Sequence, residues 1–206
     1  FFISLYSLQC YSEKIAYSPT IYPLAGSVNV INGSYYEASH DLTLFGSKPA
    51  SLKKFFFGAN TGYSPDGLCW HFNYKNIISS NITAIEEPVL DTEIDYEYDI
   101  LSRLTNLKFY KLNKTKILHQ INFEYISNEI NSSCVATSDD GRSITYFYHS
   151  TEPSRSNPEI VIDEFLDVNG GKTSYDYVIH PTERKYLLKK VTDPEGGYIE
   201  NEYYSG

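Results

Sequence analysis

The sequence predicts an all-β fold: antiparallel hairpin repeats with little or no helix beyond an apolar stretch at the N-terminus. Three observations predict it. Aromatics reach 16% of the 206 residues, with 20 Tyr and 11 Phe against 1 Trp and no Met. Tyrosine suits a pleated surface that buries the ring and leaves the hydroxyl wet. Turn sequences that pair Asp with Gly recur at "SDDGR", "LDVNGG" and "TDPEGG", where Asp holds its own backbone and Gly takes a positive φ. Each turn Gly is followed at a fixed distance by strand-like residues alternating with period two.

Taken in chain order, residues 1–12 open with "FFISLYSLQCYS". An apolar run followed by small residues resembles the end of a secretory signal whose charged start is missing. The alternative is a first strand of the fold. Residues 13–90 form an opening β segment. Residues 91–206 form degenerate hairpin repeats that stop in mid-pattern, which predicts that the chain is a fragment of a longer exported protein.

The repeat is legible in the spacing. Gly141 is followed by Tyr146 and Tyr148, and Gly170 by Tyr175 and Tyr177. Gly196 is followed by Asn201 and Tyr203, so Tyr stands seven residues after all three glycines. Two earlier runs, "IDYEYD" with Tyr96 and Tyr98 and "INFEYI" with Phe123 and Tyr125, share the aromatic ending but no Gly turn. The final Tyr of each unit falls at 98, 125, 148, 177 and 203. A bounded, uneven period of this kind suits hairpins whose turns absorb length differences. Rings at period two share one strand face, where cross-strand ring pairs pack and hold register.

The motifs resemble those of RHS-type (YD-repeat) proteins. Tyr98-Asp99-Ile100-Leu101-Ser102-Arg103-Leu104 is similar to the family's Tyr-Asp-x-x-Gly-Arg-Leu, with Ser102 in place of Gly. The segment from Gly26 to Gly58 resembles the one that opens such proteins, and "GLCWHFN" resembles the Gly-Trp strand that follows. The resemblance covers about residues 26 to 206; only Tyr98 keeps its Asp. It implies a β-ribbon wound into a hollow, solenoid-like shell, secreted or at the cell surface. In polymorphic toxins and in the C component of insecticidal toxin complexes the shell encloses a C-terminal toxin or effector domain; teneurins carry a related shell. The implied partners are downstream repeats and the enclosed domain of the same protein. The implied role is structural and non-catalytic. The alternative is a surface adhesin or carbohydrate-binding β-domain that stacks a sugar or a cell-surface receptor's glycan on its rings.

Composition and motifs restrict the chemistry. A net charge of -9 disfavours nucleic acid and anionic membrane surfaces as partners. No later stretch is long and apolar enough to span a bilayer. The histidines, at 40, 71, 119, 149 and 180, follow no metal-ligand spacing, and there is no CxxC. No catalytic, cofactor or metal residues are therefore expected. Cys69 and Cys134 are free to pair or not. "SLKK" reads as a strand start with solvated lysines, and Asp167 and Asn169 as turn caps rather than calcium ligands. The acidic run from Glu86 to Asp99 holds seven carboxylates and reads as a solvated face, the alternative being a site for a cation or basic partner.

Overall fold

A computed structural model describes residues 36–46, 48–57, 70–78, 91–127, 132–150, 160–179 and 186–202. The described residues are all-β apart from one turn of 3-10 helix, Leu112–Lys114. The chain forms β1 (Tyr36–Leu44), β2 (Ala50–Phe57), β3 (Trp70–Phe72), β4 (Thr92–Tyr98), β5 (Leu104–Lys111) and β6 (Ile117–Ser127). Then come β7 (Ser132–Ser138), β8 (Ser143–Ser150), β9 (Ile160–Leu166), β10 (Lys172–Ile179), β11 (Tyr186–Thr192) and β12 (Tyr198–Glu200). The first three strands make one antiparallel sheet. The other nine make a second, in which every strand pairs with its sequence neighbours in the order β4 to β12. Residues 1–12 and Tyr203 lie outside the described residues, and with them the signal reading and the last repeat position.

The larger sheet is a plain meander, built in part on recurring hairpin turns. Four of them share a single geometry: 99–103, 138–142, 167–171 and 193–197. In each, the first residue's N–H donates to the fifth carbonyl and the fourth N–H donates back to the first carbonyl, at 2.8–3.1 Å. This is the three-residue hairpin loop with a left-handed fourth position. Gly141, Gly170 and Gly196 occupy that position at φ +84, +80 and +87. A Cβ there would meet nothing within 4 Å, so the demand for glycine is dihedral rather than spatial.

The first turn corrects one sequence reading. "IDYEYD" lacks a Gly but not the turn: Ser102 takes the left-handed position at φ +60. Five and seven residues on from Ser102 stand Leu107 and Phe109, both buried, where the other turns are followed by Tyr146 and Tyr148, and Tyr175 and Tyr177. A left-handed non-glycine residue carries about 1–2 kcal/mol of strain, of which glycine's extra unfolded-state freedom returns about 0.4–1 kcal/mol. Ser102→Gly is therefore expected to stabilise the protein by about 0.5–1 kcal/mol. Urea unfolding checks it; a loss of stability would show that the Ser102 side chain does more than tolerate the turn.

Strand direction places the repeat endings together. Tyr98, Tyr125, Tyr148 and Tyr177 lie towards the C-terminal ends of β4, β6, β8 and β10, alternate strands that run the same way in the meander. From Tyr125 a direct cross-strand row runs to β9: Tyr125 faces Cys134, which faces Tyr146, which faces Phe165.

The two sheets bury one continuous core. Leu42, Leu44, Leu52, Phe56, Trp70, Phe72 and Tyr74 from the small sheet and the segment after it meet Leu104, Leu107, Phe109, Ile121, Ile144, Tyr146 and Leu188 from the large one. β1 lies against β8, and β3 against β9. Beyond the rim, Arg142 donates to the Thr43 carbonyl at 2.7 Å and His119 Nε2 bonds the Lys48 carbonyl at 3.0 Å, tying the β1–β2 connection to the meander.

The acidic run resolves into a solvated face over its described part. Asp91 pairs with Lys48, Asp95 with Lys114 and Glu97 with Lys108, while Glu93 accepts from the Asn113 N–H. Such exposed pairs contribute little stability, but they leave the carboxylates of β4 matched rather than assembled into a cation site.

Candidate functional site: the seam between the sheets

Most residues singled out in the sequence converge on the seam. Trp70 is buried, with its ring edge-on to Phe56 at 5.2 Å and to Tyr175 at 4.9 Å. Its indole N–H donates to the Tyr177 hydroxyl at 2.8 Å, and Tyr177 donates onward to the Ile162 carbonyl at 2.5 Å. One chain of hydrogen bonds thus joins β3, β10 and β9. Phe72 meets Tyr146 edge-on at 5.3 Å, and Tyr74 meets Phe109 at 5.7 Å. These are favourable ring geometries. Tyr148 is buried too, and Phe123 packs in the same core. Tyr96 packs against the core and stacks on Tyr98, which is itself exposed.

The Tyr98-to-Leu104 motif works as a turn clamp. Asp99 Oδ1 accepts the N–H groups of Leu101 and Arg103, both at 2.9 Å, and Asp99 Oδ2 accepts from Arg103 Nε at 2.7 Å. Desolvation would raise the Asp99 carboxyl, but the donors from Arg103 and Leu101 outweigh it and hold it below its ordinary value. The Arg103 guanidinium in turn lies 4.4 Å over the Tyr125 ring. Tyr125 carries its hydroxyl to the carbonyls of Ile77 and Leu104, and Leu104 is fully buried. The turn, the next strand and the segment after β3 are locked by four side chains. Asp167 caps its own turn in the same manner, accepting from Asn169 and Gly171 at 2.8 Å.

Cys134 is a free, buried thiol; Cys69 lies outside the described residues. Burial pushes the Cys134 thiol up to about 12, so almost no thiolate forms at neutral pH. Iodoacetamide is expected to leave Cys134 unlabelled in the native protein and to label it fully in urea, read by peptide mass spectrometry. Rapid native labelling would show that this part of the seam opens.

The sequence missed the most unusual group in the molecule. The structure corrects the expectation that "SLKK" is a strand start with solvated lysines: Lys54 is 2% exposed. It occupies the inward row of β2 between Leu52 and Phe56, so period two itself carried the signal. Its partner is Asp41, whose side chain is completely buried. Asp41 reaches the core because β1 is bulged there: His40 pairs with Lys53 and Leu42 with Leu52, leaving Asp41 without an opposite residue. Bulges re-aim side chains in this way.

Around this pair the geometry is tight. Lys54 Nζ donates to Asp41 Oδ1 at 2.8 Å and to Ser39 Oγ at 2.9 Å. Ser39 Oγ donates to the same Oδ1 at 2.5 Å, and the Tyr146 hydroxyl donates to Oδ2 at 2.6 Å. The ammonium lies 3.9 Å over the Phe165 ring, with the rings of Tyr175 at 5.7 Å and Tyr146 at 5.9 Å. Burial first, and then the Asp41 carboxylate, hold the Tyr146 phenol well above its ordinary value, so it remains a donor. Tyr146, Tyr175 and Tyr177, known from sequence only as repeat markers, thus form the wall of a buried polar cell and the acceptor for Trp70.

Among the described residues no group of His, Cys, Asp and Glu could hold a metal ion, and no helix is long and apolar enough to cross a membrane. No protein-family model matches the chain, and no curated protein matches it.

Proposed function

We propose that this chain is a wall section of an exported RHS-type shell, non-catalytic in itself, whose continuation encloses a C-terminal effector domain. The observation that carries the reading is the fourfold hairpin turn, with the left-handed residue at 102, 141, 170 and 196. One turn geometry used again and again extends a ribbon by one hairpin at a time, as a wall requires. The Tyr-Asp-x-x-Ser-Arg-Leu motif supports it, since each side chain that bonds there acts on the turn, the neighbouring strand or the core. The rings support it as well. Tyr146, Tyr148 and Tyr175 are 0–6% exposed and packed inside the seam, which suits a scaffold and leaves them no face for a sugar. The partners of this reading are further repeats and the enclosed domain of the same protein, in the extracellular space or at the cell surface.

The test is the coding frame beyond Gly206. Further units are expected, each with an Asp-x-x-Gly turn followed at five and seven residues by buried aromatics. A stop codon directly after Gly206, with a stable monomer that binds a glycan array, would overturn the shell reading and favour an adhesin.

A further inference from the structure

We propose that Lys54 and Asp41 condense to an intramolecular isopeptide bond, cross-linking β1 to β2 inside the core. A nucleophile, an oxyanion donor and a proton relay are assembled around the Asp41 carboxyl. Lys54 Nζ, the nucleophile, is held 2.8 Å from Asp41 Oδ1, the oxygen bonded to the carboxyl carbon Cγ. Tyr146 donates to Oδ2 at 2.6 Å, where negative charge collects as Cγ becomes tetrahedral. Ser39 Oγ stands between the nucleophile and the leaving oxygen, 2.9 Å from Nζ and 2.5 Å from Oδ1, so it can pass a proton from one to the other. The rings of Phe165, Tyr146 and Tyr175 enclose the amine.

The steps balance without an outside reagent. A proton passes from the Nζ ammonium to Oδ1 across their contact, leaving an amine beside a carboxylic acid. Nζ attacks Cγ, and the C=O electrons move to Oδ2 against the Tyr146 hydroxyl. Ser39 takes a proton from the attacking nitrogen and delivers one to Oδ1. The Cγ–Oδ1 bond breaks, Oδ1 leaves as water with both protons, and Oδ2 returns to a carbonyl that still accepts from Tyr146. Neither oxidation nor reduction occurs. Positioning supplies the driving advantage, because both partners are fixed by the folded sheet before they meet. The bulge sets Asp41 and Leu42, neighbours in sequence, both inside the core, so the carboxylate stays beside Lys54 while the strand continues with Leu42 and Leu44 inward.

Intact mass of the purified, folded chain decides the matter. The expected mass is one water below that of the sequence, with tandem spectra of a digest placing a branched amide between residues 41 and 54. Lys54→Arg keeps a cation but offers no amine nucleophile, and is expected at full sequence mass. Asp41→Asn is expected to lose ammonia and reach the same product mass as the wild type, a signature that no purely structural pairing would produce. Tyr146→Phe and Ser39→Ala are expected to slow cross-linking about 100-fold, followed as the uncrosslinked fraction after refolding from urea. A wild-type chain that is folded by circular dichroism yet keeps its full sequence mass after days at 37 °C overturns the proposal. So does a water loss that persists in Lys54→Arg.

Discussion

Trp70→Ala is expected to lower the unfolding free energy by about 3–5 kcal/mol, the usual cost of emptying a large aromatic site in a packed core. The indole fills the gap between Phe56 and Tyr175, and its N–H is the donor to Tyr177. Removing it empties the seam and leaves the Tyr177 hydroxyl without its incoming hydrogen bond. For a chain of this size the melting temperature should fall by roughly 6–20 °C. Tyr98→Ala is the matched control, because Tyr98 is 44% exposed and stacks on Tyr96 at the sheet's rim. It should cost no more than about 1 kcal/mol. Equal losses for the two variants, measured by urea unfolding, would show that the sheets are not held by the Trp70 contact.

Asp41→Ala is expected to cost about 3–5 kcal/mol, as removal of one partner from a buried charged pair does. Lys54 would keep one hydrogen bond, to Ser39, and the faces of three rings, but no counter-charge in contact. Tyr146 would lose its acceptor at the same stroke. Asp41→Ala combined with Lys54→Met removes both buried charges and should recover much of the loss. A single Asp41→Ala variant as stable as the wild type would mean that the pair carries no net stabilising energy, and that the bulge in β1 serves something else.

These two sites divide what was legible in the sequence from what was not. The all-β class and the hairpins over residues 91–202 followed from local chemistry. Period-two aromatics define strand faces, and Asp with Gly in a short loop defines a turn whatever lies around it. The turn at Ser102 escaped because the signal used was glycine itself, whereas the backbone requires only a left-handed residue, a conformation that other residues adopt at some cost. Lys54 escaped for a related reason. A lysine in a strand is solvated far more often than buried, and only its place in the row between Leu52 and Phe56 marked it.

What the sequence determined alone is therefore the ribbon: which residues form strands, where they reverse, and which side chains share a face. The spacing of at most a few residues that sets these choices is readable in any short window. Tertiary structure decided how the ribbon is covered. Asp41 meets Tyr146 across 105 residues, and Trp70 meets Tyr177 across 107. No local period encodes such partners, because the sheets find each other by burying apolar area and by pairing polar groups taken down with it. A bulge that turns one carboxylate inward, and a lysine waiting for it on the next strand, acquire their meaning only when the second sheet closes over them.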